Sequence, residues 1–126
     1  MAMNDTLGSA LSAINNCEKS GKKELVIISS KLVAQVLTIM HEHNYIGEFE
    51  PLPYNKLKVR LLGNINKCNV IKPRYPFKKD TMEKFEKRYL PSKGFGLIIV
   101  STSKGVTTLN KCRELSMGGK LLSYVY

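Results

Sequence analysis

The order of helical and strand-like segments predicts a chain of mixed helix and strand in two small subdomains. The first reads αβαββ over residues 1–63 and the second, over 64–126, mainly β with short helices. Three observations carry this. Apolar residues recur at helical spacing in two early segments, alternate at strand spacing in a later one, and the net charge changes abruptly near residue 63. With 126 residues, 43% of them hydrophobic, the chain has enough apolar material for a folded core of that size.

Leu7, Ala10, Leu11, Ile14 and Cys17 repeat at three and four, which predicts a helix over 6–19. Asn4, Asp5 or Thr6 can cap its start, and Gly21 sits where it would end. Residues 24–28 form a short β run. Ser29 or Ser30 then offers an N-cap for a second helix, whose stripe is Val33, Val36, Leu37 and Met40, continuing to about His43. Two strands follow, one over 45–50 closed by Pro51 and Pro53, the other over 56–61. In the second, Leu57, Val59 and Leu61 alternate with Lys56, Lys58 and Arg60.

The polar stretch 63–67 is the expected join. Beyond it, 68–72 reads as a strand stopped by Pro73, and Asp80 and Glu83 stand at the spacing of a capping box. A short helix carrying Met82, Phe85, Arg88 and Tyr89 would end near Leu90-Pro91. Residues 96–101 are continuously apolar and predict a buried strand. Thr107 or Thr108 can cap a short helix to about Leu115, and 121–126 predicts a closing strand.

Charge narrows the function. Residues 1–63 hold seven Lys/Arg against six Asp/Glu, a net +1, and residues 64–126 hold thirteen against four, a net +9. A polyanion-binding face explains that asymmetry, and nucleic acid fits better than membrane because no basic amphipathic helix or dense lysine block is present. No stretch is apolar enough to cross a bilayer and no signal peptide opens the chain, which predicts a protein that stays in the cytoplasm. The cysteines Cys17, Cys68 and Cys112 are odd in number and widely spaced, as buried free thiols in a reducing compartment would be.

Catalytic patterns are missing from the sequence. Gly119-Lys120 is a candidate for a phosphate-binding loop, yet Glu114 and Leu121 occupy the positions where that motif needs glycine and a hydroxyl. His41 and His43 fall about 200° apart around a helix, so they cannot share a metal while it persists. The expectation is no catalytic residue, no metal and no cofactor. An enzyme on this scaffold would need a convergent set of titratable groups that the sequence does not supply.

What remains is material for binding. Ser101, Thr102, Ser103, Lys104 and Gly105 follow the apolar strand, and Gly118-Gly119 leads with Lys120 into the last one. Such residues either connect strands or bring hydroxyls and bare backbone close to a sugar-phosphate surface. Lys67, Lys72, Arg74, Lys78 and Lys79 add phosphate-binding charge, interleaved with aromatics. Of these aromatics, Tyr75 and Phe77 are expected on a loop and are the better candidates for stacking a base, while Phe85 and Tyr89 at i and i+4 read as core.

At these residues the chain resembles the universal small-subunit ribosomal protein eight family, in a divergent eukaryotic-like form of its archaeal and eukaryotic branch. The likeness spans almost the whole chain. It includes Asn44-Tyr45-Ile46-Gly47-Glu48-Phe49-Glu50, then Asn66-Lys67-Cys68 with Val70-Ile71 and Pro73-Arg74, and Leu90-Pro91-Ser92. It ends in the most specific pieces, Ser101-Thr102-Ser103-x-Gly105 and Gly118-Gly119-Lys120, with lysine where bacterial members carry glutamate. The resemblance implies an α+β fold and a structural protein that binds the central domain of small-subunit rRNA and supports assembly and translation. It also implies neighbouring small-subunit proteins as partners, no small-molecule substrate, and RNA contacts at Ser101, Thr102, Ser103, Gly105, Gly118, Gly119 and Lys120. A free-standing RNA-binding regulator, for example of its own messenger, is the competing class. Co-sedimentation with small subunits separates the two.

Overall fold

The computed structural model describes residues 6–91 and 95–126. The alternative caps Asn4 and Asp5, together with Ser92, lie outside them. The chain divides into two compact units between Asn69 and Val70. The expected join at 63/64 thus lies six residues earlier than this division. Residues 64–69 are held by the first helix: the Ile65 N–H donates to Glu18 Oε2 at 3.1 Å, and the Cys68 N–H and thiol reach Asn15 Oδ1 and the Leu11 carbonyl, each at 3.4 Å.

The first unit runs α1 (Thr6–Ser20), β1 (Glu24–Ile28), α2 (Lys31–Glu42), β2 (Ile46–Leu52) and β3 (Lys56–Leu61). Its sheet is antiparallel in the order β1-β3-β2. The Val33 N–H donates to the Ser30 hydroxyl at 3.2 Å, the N-cap expected for α2. Leu57, Val59 and Leu61 are buried on one face of β3, and Ile27 of β1 pairs with Leu57 in the same layer. The opposite face pairs Glu24 with Arg60 and Val26 with Lys58, and Lys58 reaches Glu24 at 3.7 Å. β2 extends through Pro51 to Leu52, past its expected end. It is an edge strand of the three, where a missing N–H can face away from the ladder.

The second unit holds β5 (Pro76–Phe77), a 3-10 turn at Lys79–Thr81, α3 (Met82–Tyr89), β6 (Leu97–Thr102), β7 (Gly105–Thr108), α4 (Leu109–Leu115) and β8 (Gly119–Val125). β4 (Cys68–Val70) straddles the division. The strand order is β4-β8-β6-β7, with β5 also paired to β8. The core lies under the helices, where Phe77, Met82, Phe85, Ile98, Val100, Leu109, Cys112 and Leu121 come together.

Three details differ from the sequence reading. Asp80 and Glu83 do not form a capping box. Instead the Thr81 hydroxyl accepts from the Lys78 N–H at 3.0 Å and donates to its carbonyl at 3.1 Å, which closes the 3-10 turn. Residues 105–108, read as turn and cap, form strand β7 before Thr108 caps α4 by accepting from the Lys111 N–H at 3.2 Å. β8 begins at Gly119 rather than Leu121, because β5 and β6 both pair with its first residues.

The thiols follow burial. Desolvation, with the Glu18 carboxylate a smaller contribution, pushes Cys68 up from 9.0 to about 12, and burial raises Cys112 as well. The folded Cys68 thiol keeps its proton where the unfolded one has lost it. Its contribution to stability is therefore complete below about pH 9 and is lost as pH rises from there towards about 12. Iodoacetamide at pH 8 should modify half-buried Cys17 in the native protein and spare Cys68 and Cys112, read by mass spectrometry. A Cys68→Ala variant should lose less stability than the parent between pH 9 and 11.

Candidate nucleic-acid interface

β6 and β7 form a hairpin whose tip carries the hydroxyl cluster. Ser101 pairs with Val106 and Thr102 with Gly105, leaving Ser103 and Lys104 as the exposed turn. Gly105 takes the positive φ, 117°, with nothing within 4 Å of where a Cβ would stand. Its glycine is a backbone requirement only. The Thr102 hydroxyl donates to the Gly105 carbonyl at 2.9 Å and accepts from the Lys104 N–H at 3.1 Å. That proton is committed to the turn, so Thr102 works here as a fastener. Ser103 keeps an exposed hydroxyl with no partner among the described residues, and it is the donor the tip offers to solvent.

The two glycines before Lys120 are explained by packing. A Cβ on Gly119 would collide with the Ser101 carbonyl, and one on Gly118 would stand 2.8 Å from the Phe77 carbonyl. β8 enters between β5 and β6 so tightly that neither position has room for a side chain. The result seats Lys120 in register with Pro76 on one side and Ser101 on the other. Val100 and Leu121 point into the core, so Ser101 and Lys120, one position along each strand, face the other way. Lys120 is exposed and Ser101 half-buried on that face.

Of the other basic candidates, Lys78 comes closest to this strip. Its Cα lies 3.9 Å from the Cβ position of Gly118, and Thr81 fixes its backbone from both sides. Lys79 follows it, exposed, in the 3-10 turn. Lys72 and Arg74 flank Pro73 on the exposed link between β4 and β5. Lys67 is exposed but belongs to the first unit. The structure therefore brings Ser101, Ser103, Lys104, Lys120 and Lys78 to one end of the second sheet.

The aromatic expectation needs correction. Phe77 is 3% exposed and part of the core, because β5 turns it inward opposite Gly119. Tyr75 is half-buried and stacks on Phe85. Sequence reasoning also missed β5 and Thr81, which frame Lys120 and Lys78. Two residues are too few to show a strand period, and a lone threonine carries no signal. His41 and His43 are exposed, and their Nδ1 atoms lie 3.3 and 3.0 Å from the carbonyls of Ile46 and Ile39. Among the described residues no group of three or more His, Cys, Asp or Glu is placed to hold a metal ion, and no helix is long and apolar enough to cross a membrane.

The family model of ribosomal protein S8 matches residues 5–126, and the chain belongs to that family. It is a protein of the small ribosomal subunit, bound to rRNA and to neighbouring ribosomal proteins, in a family of structural components rather than enzymes.

The three glycine and serine positions should respond differently to substitution. Gly119→Ala meets backbone and should lower stability by about 2–4 kcal/mol, with a clear fall in the urea midpoint. Gly105→Ala meets only its own φ and should cost about 1–2 kcal/mol. Ser103→Ala should leave the midpoint unchanged within about 0.5 kcal/mol.

Proposed function

We propose that this member of the ribosomal protein S8 family binds the central domain of small-subunit rRNA early in assembly, through the exposed end of its second sheet. Ser101, Ser103, Lys104 and Lys120 make the contact, with Lys78 and Lys79 beside them. Gly105, Gly118 and Gly119 give the backbone shape that presents them, and Thr102 holds the hairpin closed. Lys72 and Arg74 extend the positive surface along the link to β5, and Lys67, in the first unit, is a separate basic candidate.

One observation carries this reading above the others: the register that sets exposed Lys120 beside half-buried Ser101 at the end of the sheet face opposite the helix-side core. A lysine and a serine hydroxyl side by side, next to an exposed hairpin tip, suit the phosphate and sugar 2′-hydroxyl of a shallow minor groove. Rigid strands hold the donors, so little side-chain ordering is needed on binding beyond the lysines themselves. The net +9 of residues 64–126 supplies the attraction that brings RNA to the site.

The test compares transcripts of the separate domains of small-subunit rRNA. The central-domain transcript should bind the chain, and Ser103→Ala should weaken it by about 1 kcal/mol, several-fold in affinity, at unchanged midpoint. Neutralising Lys78, Lys79 and Lys120 should flatten the salt dependence by about 0.9 for each phosphate left without its lysine, taking duplex DNA as the guide. Neutralising Lys22, Lys23 and Lys31 should change it far less. Binding to another domain would relocate the site, and equal effects from both lysine sets would remove the second unit's claim to it. A chain found mainly outside small subunits in a sucrose gradient would favour a free-standing regulator.

A further inference from the structure

A second group on the same unit is not used by that strip. Tyr75 stacks on Phe85 with ring centroids 5.9 Å apart, Tyr89 on Tyr124 at 5.5 Å, and Tyr124 on Tyr126 at 6.2 Å. Arg88 joins the two stacks, its guanidinium carbon 5.4 Å from the ring centroids of both Tyr75 and Tyr89. Phe85 is buried, the four tyrosines are half-buried and Arg88 is exposed. Tyr124 pairs with Ile98 of the core, so this ladder lies on the helix side of the sheet, opposite Ser101 and Lys120.

Core packing accounts for the inner edges of these rings but not for the arginine over them. Arg88 forms no ion pair among the described residues, although Glu83 and Glu86 on the same helix pair with Lys87 and Arg113. Two aromatic faces hold it instead, a cation–π arrangement that leaves the charge undiminished. Arg88 is exposed, so its guanidinium keeps solvent-facing surface on which a base can stack, and N–H groups that can bond phosphate. Lys84 and Lys87 stand exposed on the same short helix. An exposed, cationic, ring-backed surface fits an unpaired nucleobase with its phosphate better than it fits a protein side chain.

We propose that Arg88, backed by Tyr75 and Tyr89, forms a second RNA contact on which one unpaired base of small-subunit rRNA stacks, on the sheet face opposite the Ser101–Lys120 strip. This rests on the reading of the chain as an rRNA-binding protein. It adds a single-strand contact to one that suits a helical groove.

The experiment uses the whole chain and a full-length small-subunit rRNA transcript carrying 4-thiouridine. It compares the parent with Arg88→Gln, Arg88→Lys, Tyr89→Leu and, for the strip, Lys120→Gln. Affinity, crosslinked peptides and the urea midpoint are measured for each. Arg88→Gln should weaken binding at least about fivefold at an unchanged midpoint. Arg88→Lys should weaken it nearly as much, since an ammonium keeps the charge and loses the plane. Crosslinks to Tyr75 or Tyr89 should appear in the parent and persist in Lys120→Gln. Parent-like binding by both Arg88→Gln and Tyr89→Leu would overturn the proposal, and so would full affinity in Arg88→Lys, which would leave a simple charge contact. Crosslinks from α3 to a ribosomal protein in assembled subunits, with none to RNA, would overturn it in favour of a protein partner. In each of these cases a weakened Lys120→Gln keeps the strip reading intact. A parent that does not retain the transcript overturns both.

Discussion

The second unit depends on one close approach, the entry of β8 between β5 and β6 with no side chain at Gly118 or Gly119. Three strands, β4, β5 and β6, take β8 as a partner, so they join into one sheet only if that strand fits. The constraint is steric and short-ranged: backbone carbonyls from Phe77 and Ser101 occupy the space where a Cβ would be. Core pairing of Val100 with Leu121 and surface pairing of Ser101 with Lys120 both follow from the same register. A slip of one residue would exchange those faces, burying the lysine and exposing the leucine.

The hydroxyl cluster divides its labour according to hydrogen bonding. Thr102 spends its hydroxyl inside the hairpin, Thr108 on the cap of α4 and Thr81 on the turn that holds Lys78, whereas Ser103 spends nothing. Similar side chains thus act as scaffold or as donor depending on whether a backbone group is in reach. The helices are tied in a related way. Arg113 of α4 bonds Glu86 of α3, and its other amine donates to Asn110 Oδ1 at 2.9 Å. Glu86 is only 8% exposed, so removing the arginine would strand a nearly buried carboxylate.

Much of the fold was legible because it is periodic. α1, β1, α2 and β3 lie within a residue or so of where Leu7-Ala10-Leu11-Ile14, the Val33 stripe and the Leu57-Val59-Leu61 alternation put them. β5 and β7 were not legible. The first has two residues, and the second is written in glycine and threonine, which read equally well as a turn. The candidate site was visible as a composition, small hydroxyls and paired glycines near lysines, but not as a geometry. Why Gly119 must be glycine depends on a carbonyl eighteen residues earlier, and Phe77 turns inward because of a strand that arrives forty-two residues later. No local pattern carries such information. Arg88 is a similar case, since helical spacing places it beside Tyr89 but cannot bring Tyr75 under it.

The position of β8 also sets a timetable. During synthesis the first unit has all its strands once Asn69 has left the exit tunnel, and β2 and β3 form a local hairpin to which β1, already made, can pair. The second unit waits. β4, β5 and β6 emerge first, each with the edge meant for β8 still open, and none can be satisfied until residues 119–125 follow. For that interval the chain carries a finished half and an unfinished one whose apolar strand, Leu97–Val100, has no partner on the β8 side. Open apolar edges invite pairing with other chains. A chain that stopped for good before Gly119 would, once released, keep those edges open.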